Sequence, residues 1–243
     1  NGFFPHVMRE AIETTRKVRL ALGRRVDRDH SIECLPFEIE DISGNEFKSR
    51  YGTNPYARRT DDVVWLWCAE DLLNQLPATD ADWQWLYQTG ERCFHELYDP
   101  FRDSEDGLYW GQSSFVDIGI NGYPESFGRR TLKAYENSLM IKAGSTNCLY
   151  VKGLDVLAST ARRLGRVAEA DEWQARADRL RRNIRIGLVH PDGTIAYFRH
   201  RDGHLEQRQH NLATAFAVLF DVVTGKDAVD AIRDYPVTWW GTP

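Results

Sequence analysis

Residues 145–187, STNCLYVKGLDVLASTARRLGRVAEADEWQARADRLRRNIRIG, decide the fold. Leu149, Leu154, Leu157, Ala161 and Leu164 recur at helical spacing as far as Gly165, and Val167, Ala170, Trp173, Ala177, Leu180 and Ile184 do so again as far as Gly187. Ser145 reads as the cap that opens the first helix, with the two glycines as stops. So short a link between helices makes an antiparallel hairpin. Its first helix is the more apolar and its second the more charged, so the first faces a core and the second faces water.

The same unit stands upstream. Thr60 reads as an N-cap with Asp61 and Asp62 in the first turn, and Val63, Val64, Trp67, Leu72, Leu73 and Leu76 follow. Pro77 to Asp80 is the link, and Trp83, Leu86, Gly90, Phe94 and Leu97 mark the partner helix. Each hairpin is followed by an Asp-Gly turn and aromatic residues: Ser104 to Trp110 in the first case, Pro191 to Phe198 in the second, where alternation predicts a small β-hairpin. Trp83 and Trp173 lie 90 residues apart, and Asp106 and Asp192 lie 86 apart, as in a repeat. A third unit begins at Gln209. Leu212 to Val223 is apolar nearly all round, which predicts a buried helix stopped by Gly225, and Lys226 to Tyr235 starts the next. The expected architecture is an all-α, α/α toroid of helical hairpins over residues 56–243, with small β-hairpins in its loops. Residues 1–55 precede it as a helix from Pro5 to about Leu22 and an irregular segment.

Stacked hairpins gather their long loops at one end, and the longest of these carries the candidate chemistry. In Trp110 to Glu125, Asp117 stands among Phe115, Val116 and Ile118, near Trp110, Gln112, Asn121 and Tyr123. An acid in apolar company is costly to ionise, so its pKa rises towards the range useful to a proton donor. Aromatic rings and amides of this kind grip sugar rings. Arg58, Arg59, Asp61 and Asp62 form a polar helix entrance suited to sugar hydroxyls, although the two aspartates also complement the helix dipole. Asn147, Gln209, His210, Trp239 and Trp240 fall at the same loop-bearing end as further expected sugar contacts, although Gln209 and His210 equally suit helix capping and the two tryptophans equally suit packing of a chain end.

Three features resemble the six-hairpin glycosidases, in particular trehalase, processing α-glucosidase and the bacterial α-L-rhamnosidases. Gln112 to Asp117 is similar to their general-acid loop, Ser145 to Tyr150 to the polar start of an inner helix, and Asp192-Gly193 to the turn before an aromatic strand. The resemblance implies an (α/α)6 barrel that hydrolyses a glycosidic bond with inversion. Asp117 would be the acid, with a carboxylate base roughly 6.5–9.5 Å away. It implies a carbohydrate substrate and no metal or organic cofactor. A full barrel needs about twice as many helices as these patterns supply, so the C-terminal hairpins, and with them the base, are expected to be missing. Within the sequence the candidate bases are Glu125, Asp62, Glu136 and Glu206. Two other readings stand beside this one: a sugar epimerase or carbohydrate lyase using Tyr123 and His210, and a helical-repeat binding scaffold. Long, dissimilar aromatic loops argue against the scaffold.

Composition excludes other classes. The hydrophobic fraction of 42% and charged fraction of 28% are those of an ordinary globular protein. A net charge of −5 speaks against a nucleic-acid surface, and the arginines from Arg162 to Arg182 alternate with Glu169, Asp171, Glu172 and Asp178 as on a salt-bridged helix face. Cys34, Cys68, Cys93 and Cys148 have neither metal-site nor disulfide-framework spacing. No GxSxG, P-loop or GxGxxG pattern occurs. No apolar run predicts a membrane span, and no signal-peptide layout is seen, which favours the cytoplasm. The first residue is Asn1 rather than Met, so the natural start is expected upstream.

Overall fold

The structure, a computed structural model, describes residues 61–75, 77–115 and 141–233, together with Tyr235, Val237 and Trp239. Among these lie six α-helices: α1 (Asp61–Gln75), α2 (Asp80–Cys93), α3 (Gly144–Arg163), α4 (Val167–Gly187), α5 (Asn211–Leu219) and α6 (Gly225–Arg233). Two short strands, β1 (Lys142–Ala143) and β2 (Phe198–Arg199), pair antiparallel. The helix expected from Pro5, the irregular segment after it and the Thr60 cap lie outside the described residues.

The hairpins form as their patterns require. A capping box starts α2: the Thr79 hydroxyl accepts from the Asp82 N–H, and the Asp82 carboxylate accepts from the Thr79 N–H at 2.9 Å. In the second hairpin α3 is buried around almost its whole circumference, whereas α4 buries only Ala170, Trp173, Ala177, Leu180 and Ile184. The apolar helix is thus the inner one, packed against α1, α2, α4 and α5. Burial of each large side chain in that stripe contributes on the order of 1.5–3 kcal/mol. Outer helices are stitched together through Tyr87, whose hydroxyl donates to Glu169 at 2.7 Å and accepts from the Trp173 indole at 3.0 Å. The arginine-rich face reaches further than a solvated surface would. Arg176 pairs with Asp99, Arg181 pairs with Asp155 and caps the Phe220 carbonyl, and Arg185 bonds the Val222 carbonyl.

Several local expectations are corrected. Helix α2 does not run to Leu97 as α-helix; at Phe94–Tyr98 it widens into a π turn that feeds a 3-10 turn at Asp99–Phe101. The extra residue in that turn brings Tyr98 beside Tyr150, with ring centroids 4.7 Å apart, in an aromatic cluster that also holds Phe94 and Tyr109. Helix α5 ends at Leu219, not at Gly225. Asp221 there adopts a left-handed φ of 56°, and Gly225 instead opens α6. Nor is α5 wholly buried: Ala213, Thr214, Phe216 and Ala217 are, but Leu219 is 59% exposed. Val229, Ile232 and Val237 are exposed apolar residues as well.

The Asp-Gly repeat is real and extends to a third copy at Asp202-Gly203. In all three the Asp side chain accepts from the N–H two residues on, and the glycine takes a left-handed φ of 70°, 88° or 93°. The segment after Asp192 is less a private hairpin than expected. A single bridge joins Val189 to Ile195, while Phe198 and Arg199 pair across the fold with β1. Where β1 runs into α3, Gly144 donates to the Tyr197 carbonyl at 3.0 Å, and a Cβ on it would stand 2.7 Å from the Ala196 carbonyl oxygen. Only glycine permits that approach, which seats the 195–198 segment on the start of α3. Among the described residues no helix is long and apolar enough to cross a membrane.

Candidate active site

The loop that leads towards Asp117 is fastened to the first turn of α3 by every polar side chain of that turn. Asn147 is fully buried: its amide oxygen accepts from the Tyr109 N–H at 2.8 Å, and its amide nitrogen donates to the Tyr109 and Ala143 carbonyls at 3.0 and 2.9 Å. Thr146 donates to the Gln112 carbonyl and shares a 3.1 Å bond with the Ser114 hydroxyl. Ser145 does not cap the helix, since Ala143 holds that position without a side-chain cap bond. Instead the Ser145 hydroxyl accepts from the Ser114 N–H at 3.0 Å and bonds the Ser113 hydroxyl at 2.8 Å. Helix N-termini leave N–H groups free and loops leave backbone groups unpaired; here polar side chains of the helix satisfy the loop. Phe115, the last described residue of this loop, is a non-glycine residue at φ 59° that is 67% exposed.

A charged cluster lies below this floor. The ammonium of Lys142 donates to both Asp103 and Asp106 at 2.6 Å, Arg199 reaches Asp106 at 3.2 Å, and the ammonium lies 4.2 Å from the centroid of the Trp110 ring. Burial works against the Asp103 carboxylate, but Lys142, the Glu105 N–H and Arg199 outweigh it and hold its pKa below the usual range.

On the far side, the first residue before α5 joins the same floor. Nδ1 of His210 lies 3.4 Å from the Ser113 hydroxyl, and its ring stacks on Tyr197 with centroids 4.7 Å apart. Burial lowers the His210 pKa from 6.5 to about 4, so the ring is neutral at pH 7. The unfolded chain therefore binds a proton that the folded chain refuses between those two values. The contribution of His210 to stability is fully present above pH 6.5 and is lost as the pH drops towards 4, by at most about 1.4 kcal/mol per unit. Thermal melting at pH 7 and pH 4.5 is expected to show this loss in the wild type, and a smaller loss in His210→Gln.

The other expected site residues divide clearly. Asp117, Asn121, Tyr123, Glu125, Arg59 and Trp240 lie outside the described residues, as do Arg58 and Glu136. Asp61 and Asp62 begin α1, which runs in the same direction as α3 but meets it higher up. Val63 packs where a Cβ on Gly153 would lie, and Glu70 accepts from Lys152 and Ser159. With a rise of about 1.5 Å per residue, the start of α1 stands about 10 Å along α3 from the Ser145 turn. The side chains of Asp61 and Asp62 themselves lie outside what the structure describes. Asn147 is a backbone clamp, its amide turned to main chain and not to open surface. Gln112 is only 4% exposed, and Trp110 is half-buried. Gln209 pairs with Ala196, and its side-chain oxygen is buried without a partner among the described residues. Trp239 is fully exposed. Glu206 is engaged by Arg208 and lies 3.6 Å from His200; burial opposes its charge, yet these partners keep its pKa below normal.

Lys142, Asp103, Ser113, Ser114 and Tyr197 escaped the sequence reading. The polar run Ser145-Thr-Asn147 was a usable signal for the two serines, because three polar residues on a buried first turn need partners. Beside the floor, an open, mainly apolar groove of ≈ 370 Å³ is lined by Asn211, Leu212, Thr214, Ala215, Ile232, Tyr235 and Val237. No group of side chains among the described residues is arranged to hold a metal ion.

A scan of the sequence against protein-family models gave no match, and neither did a search of curated proteins. Solved structures do match in shape. A GH78 family rhamnosidase of Bacillus sp. GL1 superposes with a TM-score of 0.58 at 17% identity, covering 88% of this chain and 21% of that one. Neutral trehalase from Saccharomyces cerevisiae superposes with a TM-score of 0.55 at 11% identity, covering 89% of this chain and 52% of that one. The chain thus spans about half of the trehalase and about a fifth of the rhamnosidase. At these identities the likeness is one of fold: this chain is an all-α structure of helical hairpins of the kind those two glycosidases share.

Proposed function

We propose that the chain is the hairpin portion of a glycoside hydrolase, with a carbohydrate as substrate and Asp117 as the general acid. The observation that carries this reading is the fastening of residues 109–114 to the first turn of α3. A proton donor must be held to within a fraction of an ångström, and a loop pinned to a buried helix start gives a rigid approach to Asp117, three residues beyond the last pinned residue. The fold shared with a rhamnosidase and a trehalase supports the same class of chemistry, although fold alone does not assign function.

In this reading Asp117 protonates the leaving oxygen while a second carboxylate activates water on the opposite face of the sugar, which inverts the anomeric centre. Glu125 and Asp62 are the proposed bases within this sequence. Glu206 is set aside, because its carboxylate is already committed to Arg208. Trp110, Gln112, Asn121, Tyr123, Arg59, Asp61, Gln209, His210, Trp239 and Trp240 are the proposed surroundings of the sugar. The epimerase or lyase reading loses ground at His210, which is neutral and buried and so is a poor proton donor at pH 7.

A panel of aryl glycosides and free sugars tests the proposal by turnover, thermal shift and NMR of the first-formed anomer. Hydrolysis giving the inverted anomer is the expected result. Binding without turnover would place the base outside this sequence, and no response to any sugar would defeat the proposal.

A further inference from the structure

We infer that Lys142 is a positioning residue that braces the indole of Trp110 as a one-sided platform for a sugar ring. The inference rests on the glycosidase reading and adds to it a residue that touches no substrate.

Three observations meet at this lysine. Its side chain is 6% exposed, so the ammonium has left water, and its two hydrogen bonds at 2.6 Å run to Asp103 and Asp106. That ammonium stands 4.2 Å over the Trp110 ring. Finally, the main chain ties the same two segments together: Gly111 bridges to Lys142 and donates to the Ile141 carbonyl at 2.8 Å. Trp110 is therefore gripped through its ring and through the next peptide by one short stretch.

A buried ion pair is by itself weak evidence for stability, since desolvation offsets much of the attraction. What this cluster fixes is direction. Asp103 and Asp106 hold the cation still, Arg199 holds Asp106, and the cation lies against one face of the indole. The cation takes one face of the indole, and the opposite face is the one assigned here to the apolar C–H surface of a sugar. Stacking of that kind is equally strong in the ground and transition states, so its loss affects substrate binding and not the chemical step.

The test is a double-mutant cycle on the whole chain, with a glycoside the wild type hydrolyses or a sugar it binds. Lys142→Met is expected to raise KM or Kd about tenfold with kcat within about twofold, and to change nothing further in a Trp110→Ala background. Additive losses in the two backgrounds, or a fall in kcat at constant KM, would overturn the inference. Lys142→Arg keeps a cation between the carboxylates, and it carries the same cycle if the Met variant does not fold, with a smaller rise in KM that Trp110→Ala again abolishes. A readout independent of turnover is the indole 15N–1H resonance of Trp110, assigned by its absence in Trp110→Ala and expected to move on either Lys142 substitution. A resonance indifferent to Lys142 in a protein that binds sugar sinks the brace alone. A resonance that responds in a protein that binds no sugar defeats the glycosidase reading, and the platform falls with it.

Discussion

Asn147→Ala is expected to destabilise the protein by about 2–6 kcal/mol and to lower its melting temperature by roughly 5 °C or more. The substitution removes three hydrogen bonds at once and leaves the Tyr109 N–H and the Tyr109 carbonyl without partners in a buried place, while the Ala143 carbonyl keeps its helical bond from the N–H of residue 147. Each such orphan costs on the order of 1–3 kcal/mol, because no water replaces the lost partner. Asn147→Asp separates this account from one of size alone. Aspartate fills the same volume and still accepts from Tyr109, but it offers nothing to the two carbonyls and sets a negative charge between them. It should destabilise at least as much as alanine. Thermal and urea unfolding measure both. A melting temperature unchanged by Asn147→Ala, with a raised KM, would return Asn147 to the sugar site and refute the clamp.

Asp117→Asn is expected to lower kcat by about 10²–10⁴, with KM and melting temperature near those of the wild type. The amide matches the carboxyl in shape and cannot give up a proton. The size of the effect should depend on the leaving group. An aryl glycoside whose phenol is strongly acidic needs little help to depart, so the variant should approach wild-type rates on it and fall far behind on an alkyl glycoside. Steady-state kinetics across such a series is the check. A uniform loss over all leaving groups, or no loss, would remove Asp117 from the role of acid.

Helical spacing was legible in the sequence because an inner helix must be apolar nearly all round and an outer one on a single stripe. The residues from Leu149 to Leu164 and from Val167 to Ile184 therefore announced α3 and α4 as inner and outer partners. The Asp-Gly turns were legible for a similarly local reason: an Asp that bonds the N–H two residues on and a glycine that takes positive φ need nothing from the rest of the chain. Where a helix stops was less legible when the stop is tertiary. Gly225 looked like the end of α5, but the helix ends at Leu219, where Arg181 and Arg185 of α4 collect the carbonyls of Phe220 and Val222.

The sequence by itself determined the helical hairpins and their inner and outer faces, because these depend on periods of a few residues along one segment. Only the tertiary structure decided what the polar residues do. Ser145 looked like a cap and Asn147 like a ligand, yet the partners of both lie more than 30 residues away in sequence, at Ser114 and Tyr109. A hydroxyl or amide has no preference that spacing can reveal; it bonds whatever unpaired group the fold brings within 3 Å. Lys142 is the extreme case. Two residues before a buried helix it reads as an unremarkable cation, and only folding sets it between two aspartates and a tryptophan ring.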